Sequence, residues 1–139
     1  MEKGTESYVI DCNVAIKWFR LKEEHSEQAL FLFEKAAKKE LTLYSPAIIV
    51  TEFLNVLTKL NKIYSISIIE INKYFESFQT SCNQRIINLI YQRDNRDKIL
   101  NLALTKKLSY YDAEYLYLSK ELKLELITYD KHLKRLANR

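Results

Sequence analysis

The chain has 139 residues, 47% of them hydrophobic and 29% charged, with 22 Lys and Arg against 18 Asp and Glu and a net charge of +4. That length suits one domain over residues 1–139 with one packed core, and the composition excludes a disordered or fibrous chain. One Gly and one Pro exclude Gly-rich phosphate loops and low-complexity linkers, and two cysteines exclude a disulfide framework or a thiolate zinc set.

Residues 8–10 predict a short apolar strand ending at Asp11, and residues 13–19 start a helix through Val14, Ala15, Ile16, Trp18 and Phe19. After a charged stretch over 20–24, Ser26 is placed to cap a helix reaching about residue 39. Its Ala29, Leu30, Phe33, Ala36 and Ala37 recur at three- and four-residue steps. Residues 41–44 predict a second strand. Ser45 and Pro46 then suit an N-cap and a first helical position, so a helix is expected from there to about Leu60, with Ile49, Phe53, Val56 and Leu57 inward. A helix over 67–78, a strand over 86–90, helices over 94–107 and 108–122, a strand over 124–128 and a basic helix over 131–137 complete the chain. Strands so widely separated by helices need crossover connections, hence a mainly parallel sheet covered on both faces.

Parallel strands bring their carboxyl ends to one edge, where open α/β folds place their sites. Asp11 and Asp130 both follow predicted strands. Each also suits a helix cap, and Asp112, three residues after Ser109, fits a helix-start box. Glu52 on this reading lies two turns inside its helix, sharing a face with Ile48, Ile49 and Val56, and no Lys or Arg stands three or four residues away. An ionised carboxylate beside a core is costly unless it is hydrogen-bonded, paired or metal-bound. The four acids together therefore suggest a divalent cation, and oxygen donors without a His or Cys set favour Mg²⁺ or Mn²⁺ over zinc. Metal-assisted phosphodiester cleavage is the chemistry suited to that set.

A chain whose remaining charge is clearly basic suits a polyanionic substrate. The candidate contacts are Lys17, Arg20 and Lys22 beyond the first acid and Lys131, Lys134 and Arg135 beyond the last, with solvated surface charge as the alternative reading. Trp18, Tyr110 and Tyr111 are open to base stacking or to core packing. Cys12 and Cys82 are expected to be free thiols, with Cys12 a small buried hydrophobe. No apolar run approaches the roughly 20 residues of a membrane span, and the first residues lack a signal-peptide pattern, so a cytoplasmic protein without a membrane partner is expected.

Motifs in order along nearly the whole chain resemble those of the PIN-domain ribonucleases, and within them the VapC-type toxins of toxin–antitoxin modules. They are Tyr-Val-Ile-Asp11-Cys-Asn13-Val-Ala-Ile-Lys-Trp-Phe, His25-Ser-Glu-Gln-Ala-Leu, Ser45-Pro46, Thr51-Glu52-Phe-Leu-Asn55-Val-Leu, Leu108-Ser-Tyr-Tyr-Asp112-Ala113 and Leu126-Ile-Thr128-Tyr-Asp130-Lys-His-Leu. The resemblance implies a three-layer α/β/α domain with a mainly parallel sheet of four or five short strands. It implies that Asp11, Glu52, Asp112 and Asp130 bind Mg²⁺ or Mn²⁺ and activate water for endonucleolytic RNA cleavage. Asn13 and Thr128 match positions that hydrogen-bond those carboxylates. A homodimer and a cognate antitoxin protein are the implied partners. The helix from Ile68 to Phe78, rich in Tyr74, Phe75 and Phe78, is open to association or, equally or better, to packing within the monomer.

The chain departs from the family pattern at Lys107, where a glycine is frequent, at Cys12, and in stopping at Arg139, before a last strand that related chains commonly add. Two other functions remain open: a nuclease of RNA maturation or decay, and a non-catalytic module that binds RNA or protein.

Overall fold

A computed structural model describes residues 6–19 and 24–138. Strand β1 (Glu6–Ile10) leads through α1 (Cys12–Ala15), a 3-10 turn (Ile16–Phe19) and α2 (Ser26–Ala37) to β2 (Leu41–Pro46). Helices α3 (Ile49–Tyr64) and α4 (Ile68–Asn83) connect to β3 (Ile87–Ile90). A 3-10 turn (Arg93–Asn95), α5 (Arg96–Lys106) and α6 (Tyr110–Leu122) then lead to β4 (Glu125–Ile127) and α7 (Lys131–Ala137).

The sheet has the order β3-β2-β1-β4, with every neighbouring pair parallel. From β1 the chain steps outward to β2 and β3, then returns across the sheet to lay β4 on the other side of β1. The order therefore reverses between β1 and β4, which opens a crevice beyond their carboxyl ends. Residues facing helices on both sides must be apolar, and Val9, Ile10, Leu43 and Ile87 are completely buried. Below α3 the core is aromatic. Phe53 stacks on Phe78 with centroids 4.0 Å apart and planes at 8°, Phe19 meets Phe53 edge-on at 5.6 Å, and Trp18 packs on Phe33 at 4.7 Å.

Most predicted elements stand where expected, but the boundary at Ser45 and Pro46 does not. Both residues belong to β2, in register with Leu89 and Ile90 of β3. The Ser45 hydroxyl donates to the Ile10 carbonyl at 2.9 Å instead of capping a helix, and the Ala47 amide donates to the Ile90 carbonyl at 2.8 Å. Pairing on both sides of the strand outweighs a local cap signal. Helix α3 starts only at Ile49, so Glu52 lies in its first turn rather than two turns inside. Helices α3 and α4 also run four and five residues past their predicted ends and pack as a hairpin. At α2 the cap position falls on His25, and Ser26 is buried as the first helical residue.

The scarcity of glycine shows at the helix ends. Lys39, Ser65, Arg85, Lys107 and Lys123 adopt positive φ at or just beyond helix C-termini, the conformation glycine takes most easily. Lys107, at φ 56, closes α5 just ahead of Asp112. Among the described residues the sheet has four strands, and no helix is long and apolar enough to cross a membrane.

Candidate active site at the carboxyl ends of the strands

A helix that follows a parallel strand begins at the sheet's carboxyl edge. Helix α6 runs antiparallel to the sheet before feeding β4, so it begins there too. All four acids sit at such starts: Asp11 is the N-cap of α1, Glu52 and Asp112 lie in the first turns of α3 and α6, and Asp130 is the N-cap of α7. Unpaired amides and the partial positive charge of a helix N-terminus favour a carboxylate in each place. The cap reading and the cluster reading of Asp11 and Asp130 thus hold together.

The crevice between β1 and β4 is laced by hydrogen bonds. The Asp11 amide donates to the Ile127 carbonyl at 3.1 Å, which extends the strand pairing to the acid itself. Its carboxylate accepts from the Cys12 amide at 2.6 Å and from the Thr128 hydroxyl at 2.7 Å. The Thr128 oxygen in turn accepts from the Asn13 side-chain amide at 3.3 Å and the Asp130 amide at 3.1 Å, while Asn13 Oδ1 accepts from the Tyr129 amide at 3.3 Å. Asp130 Oδ1 accepts from the Leu133 amide at 2.9 Å. Thr128 bonds the Asp11 carboxylate directly, whereas Asn13, also expected to bond a carboxylate, instead bonds Thr128 and the Tyr129 backbone.

The acids feel one another. Burial pushes the Asp11 carboxyl up to about 6 against the opposing pull of Thr128 and Cys12, and the charges of Asp112 and Asp130 add to the rise. Glu52 is pushed up to about 7, first by burial; the nearby Tyr115 hydroxyl offsets part of this, and Asp11, Asp112 and Glu114 raise it further. Asp112 is raised by burial and then by Asp130. Tyr115 faces Glu52 without a well-formed hydrogen bond, and both Glu52 Oε1 and the Tyr115 hydroxyl are buried with no partner. The Cys12 thiol is held protonated by burial and by the charges of Glu52 and Asp11, which removes it as a nucleophile.

Among the described residues no three Asp, Glu, His or Cys side chains form a ready-made cation cage. The four carboxylates line one edge, with Asp11 and Asp112 linking the electrostatics of Glu52 and Asp130, and Glu52 Oε1 is buried facing Tyr115 without a well-formed hydrogen bond. A hard divalent cation fits this edge, since the donors are carboxylate oxygens and a positive charge would relieve both that buried oxygen and the mutual repulsion.

Sequence reasoning missed several neighbours. Glu114, buried two residues beyond Asp112, accepts from the Gln92 side-chain amide at 2.7 Å, and that amide also reaches the Glu114 carbonyl at 3.0 Å. An acid inside the apolar run 113–118 was a signal of the same kind as the four recognised ones. Tyr115 carried none, because a tyrosine in such a run reads as core. His25 and Tyr129 stack in parallel, with centroids 4.4 Å apart and planes at 12°.

Of the basic candidates, Lys131, Lys134 and Arg135 are exposed on α7 immediately after Asp130. Lys17 is half-buried in the first 3-10 turn and already engaged, and Arg20 and Lys22 lie outside the described residues. Trp18 is core, Tyr110 is half-buried and Tyr111 is exposed. Cys12 and Cys82 are free thiols, as expected.

An open parallel sheet with coupled carboxylates at its switch point defines an α/β protein with an acidic site at the strand carboxyl ends. The family model described as PIN domain matches residues 8–139, and the chain belongs to that family, whose members are generally nucleases that use divalent metal ions. The crystal structure of PAE2754 from Pyrobaculum aerophilum has the same fold, with a TM-score of 0.71 at 17% identity over 96% of this chain and 83% of that one. No curated protein sequence matches this chain.

Proposed function

We propose that the protein is an endoribonuclease dependent on Mg²⁺ or Mn²⁺ and the toxin of a toxin–antitoxin pair. The observation that carries the metal-dependent reading is the gathering of Asp11, Glu52, Asp112 and Asp130 at helix starts along one sheet edge, where Asp112 and Asp130 act on Asp11, and Asp11 and Asp112 act on Glu52. These four residues would hold the cation. A divalent ion bound there supplies polarised water and positive charge opposite a scissile phosphate.

The chain's own residues do the rest. Thr128 and the Cys12 amide fix both oxygens of Asp11, so its orientation is set in advance. The Asp130 cap ties the last acid to α7, and the exposed Lys131, Lys134 and Arg135 offer positive charge to an RNA backbone beside the acids. The all-carboxylate site without a nucleophilic thiol supports hydrolysis by water over a covalent enzyme intermediate.

The toxin role, the antitoxin and a homodimer rest on the motif resemblance. For dimerisation the helix over 68–78 divides: its aromatic residues pack within the monomer, and its first residues are exposed. Phe78 is core and Tyr74 and Phe75 pack against it, whereas Ile63, Tyr64, Ile68 and Ile69, at the tip of the α3–α4 hairpin, are 63–72% exposed. That apolar tip supports self-association there.

Cleavage of single-stranded and structured RNA in Mg²⁺ or Mn²⁺ tests the activity. Cleavage should vanish in EDTA and in Asp11→Asn and Asp112→Asn proteins; undiminished cleavage in any of the three would sink the assignment. Growth arrest on induction that depends on Asp112 supports the toxin role, and harmless expression of active enzyme would point to RNA maturation or decay.

A further inference from the structure

We infer that the cleft beside the acidic site is a nucleobase subsite, in which the His25–Tyr129 pair stacks an unpaired base of the RNA strand; this rests on the ribonuclease reading above. The cleft is an open groove of about 710 Å³ between α2, β4 and α7, and its walls include His25, Phe31, Leu32, Ile127, Tyr129 and Lys134. That volume lies inside the roughly 300–1,000 Å³ typical of small-ligand pockets.

The cleft is wired to the acids. Tyr129 lies between Thr128, which bonds Asp11, and Asp130, and its amide is held by Asn13 Oδ1 at 3.3 Å. Its ring therefore starts one residue from the site and moves with it. On the other wall, His25 is the one positive-φ residue among the described ones that stands at a helix start rather than near a helix end, with φ 67. A non-glycine residue is costly in that conformation and persists where its surroundings over-determine it. Here the Tyr129 hydroxyl donates to the His25 carbonyl at 3.4 Å, and the imidazole Nδ1 lies 3.2 Å from Gln28 Oε1. The strained backbone holds the imidazole flat against Tyr129 at 4.4 Å.

An aromatic wall alone would not choose between a base and a protein side chain. The cleft itself carries Glu27 against Lys134, and His25 Nε2 lies 3.5 Å from Glu24; the charge that favours a base lies along α7. A second cavity of about 470 Å³, lined by Lys131, Lys134, Arg135 and Asn138, shares Lys134 with the cleft and continues along α7 from Asp130. Single-stranded nucleic acid is bound by this combination of a cationic track for phosphates and aromatic faces for bases. Phe31, 58% exposed, adds a second apolar ring to the wall. Glu27 and Gln28, also lining the cleft, offer acceptors to a base's exocyclic amino group. The arrangement would set which nucleotide sits at a fixed offset from the scissile phosphate.

The test walks a single abasic residue along a short labelled RNA and measures binding in EDTA, then cleavage in Mn²⁺. Wild-type affinity should fall roughly tenfold when the abasic residue occupies one particular position, the loss expected of one stacked base. His25→Gly, which suits the positive φ and removes the ring, should abolish that sensitivity; His25→Phe should retain it, with thermal melts showing that both variants fold. A flat abasic profile in wild type, as expected if the cleft takes a protein side chain, overturns the inference. So does a His25→Gly profile matching wild type, and either result leaves metal-dependent cleavage standing. Base-dependent binding that needs His25, without metal-dependent cleavage, would instead remove the ribonuclease reading and keep the subsite.

Discussion

Glu52 and Phe53 are consecutive on α3, yet they belong to opposite regimes. Phe53 points into an aromatic core, completely buried, stacked on Phe78 and met edge-on by Phe19. Glu52 points to the carboxyl edge of the sheet, where Oε1 is buried without a partner and the charges of Asp11, Asp112 and Glu114 oppose its own. The core side of α3 holds the fold together, and the edge side stores unfavourable electrostatics that a cation would relieve. Core packing and the proposed cation site are thus about 100° apart on one helix.

Substitution on the core side of α3 should have the largest effect. Phe53→Ala should destabilise the protein by about 3–5 kcal/mol, read from denaturant unfolding; a loss below about 1 kcal/mol would mean that the Phe53–Phe78 stack is not central. On the edge side the expected pattern reverses. Glu52→Gln should lower RNA cleavage by about 100-fold or more, the scale of losing one electrostatic contributor to a transition state. Its metal-free melting temperature at pH 8 should nevertheless stay level or rise.

The pH dependence sharpens the same contrast. Asp11 and Glu52 titrate at about 6 and about 7, above ordinary carboxylates. Between roughly pH 4 and pH 7 the folded, metal-free protein keeps protons that the unfolded chain has released, so these groups make stability fall as pH rises and level off above that window. This is opposite in sign to a salt-bridged carboxylate. Melts in EDTA across the window should show wild type losing stability relative to Glu52→Gln, and saturating Mn²⁺ should shrink or reverse that loss; a constant difference between the two proteins would contradict it.

The smallest effect lies at the α5 end, where Lys107→Gly should stabilise by roughly 0.5–1 kcal/mol by relieving a left-handed backbone. An unchanged or lower melting temperature would show that the lysine conformation carries no such cost.

Much of this was legible in the sequence, because crossover spacing dictates a parallel sheet and a parallel sheet gathers strand ends. Asp11 and Asp130 followed directly from that rule, and Thr128 from the motif resemblance. Glu52 was recognised by a partly mistaken route: its helix starts three residues beyond the Ser45-Pro46 signal, since those residues pair with β1 and β3. The acid is therefore near a helix start like the other three, and its lack of a partner, rather than its depth in the helix, sets it apart. Glu114 was legible as an acid in an apolar run, but its pairing with Gln92, 22 residues away, was not, and the His25–Tyr129 stack spans 104 residues. Contacts of that kind depend on how elements dock, which local periodicity does not encode.

We expect the four acids to form one cation site whose occupation displaces the protons held by Asp11 and Glu52. Calorimetric titration of Mn²⁺ into metal-free protein at pH 6, repeated in two buffers of different ionisation enthalpy, measures both binding and proton release. Binding with net proton release, lost in Asp11→Asn and weakened with less release in Glu52→Gln, is the predicted result. No binding, or binding unchanged by both substitutions, would contradict it.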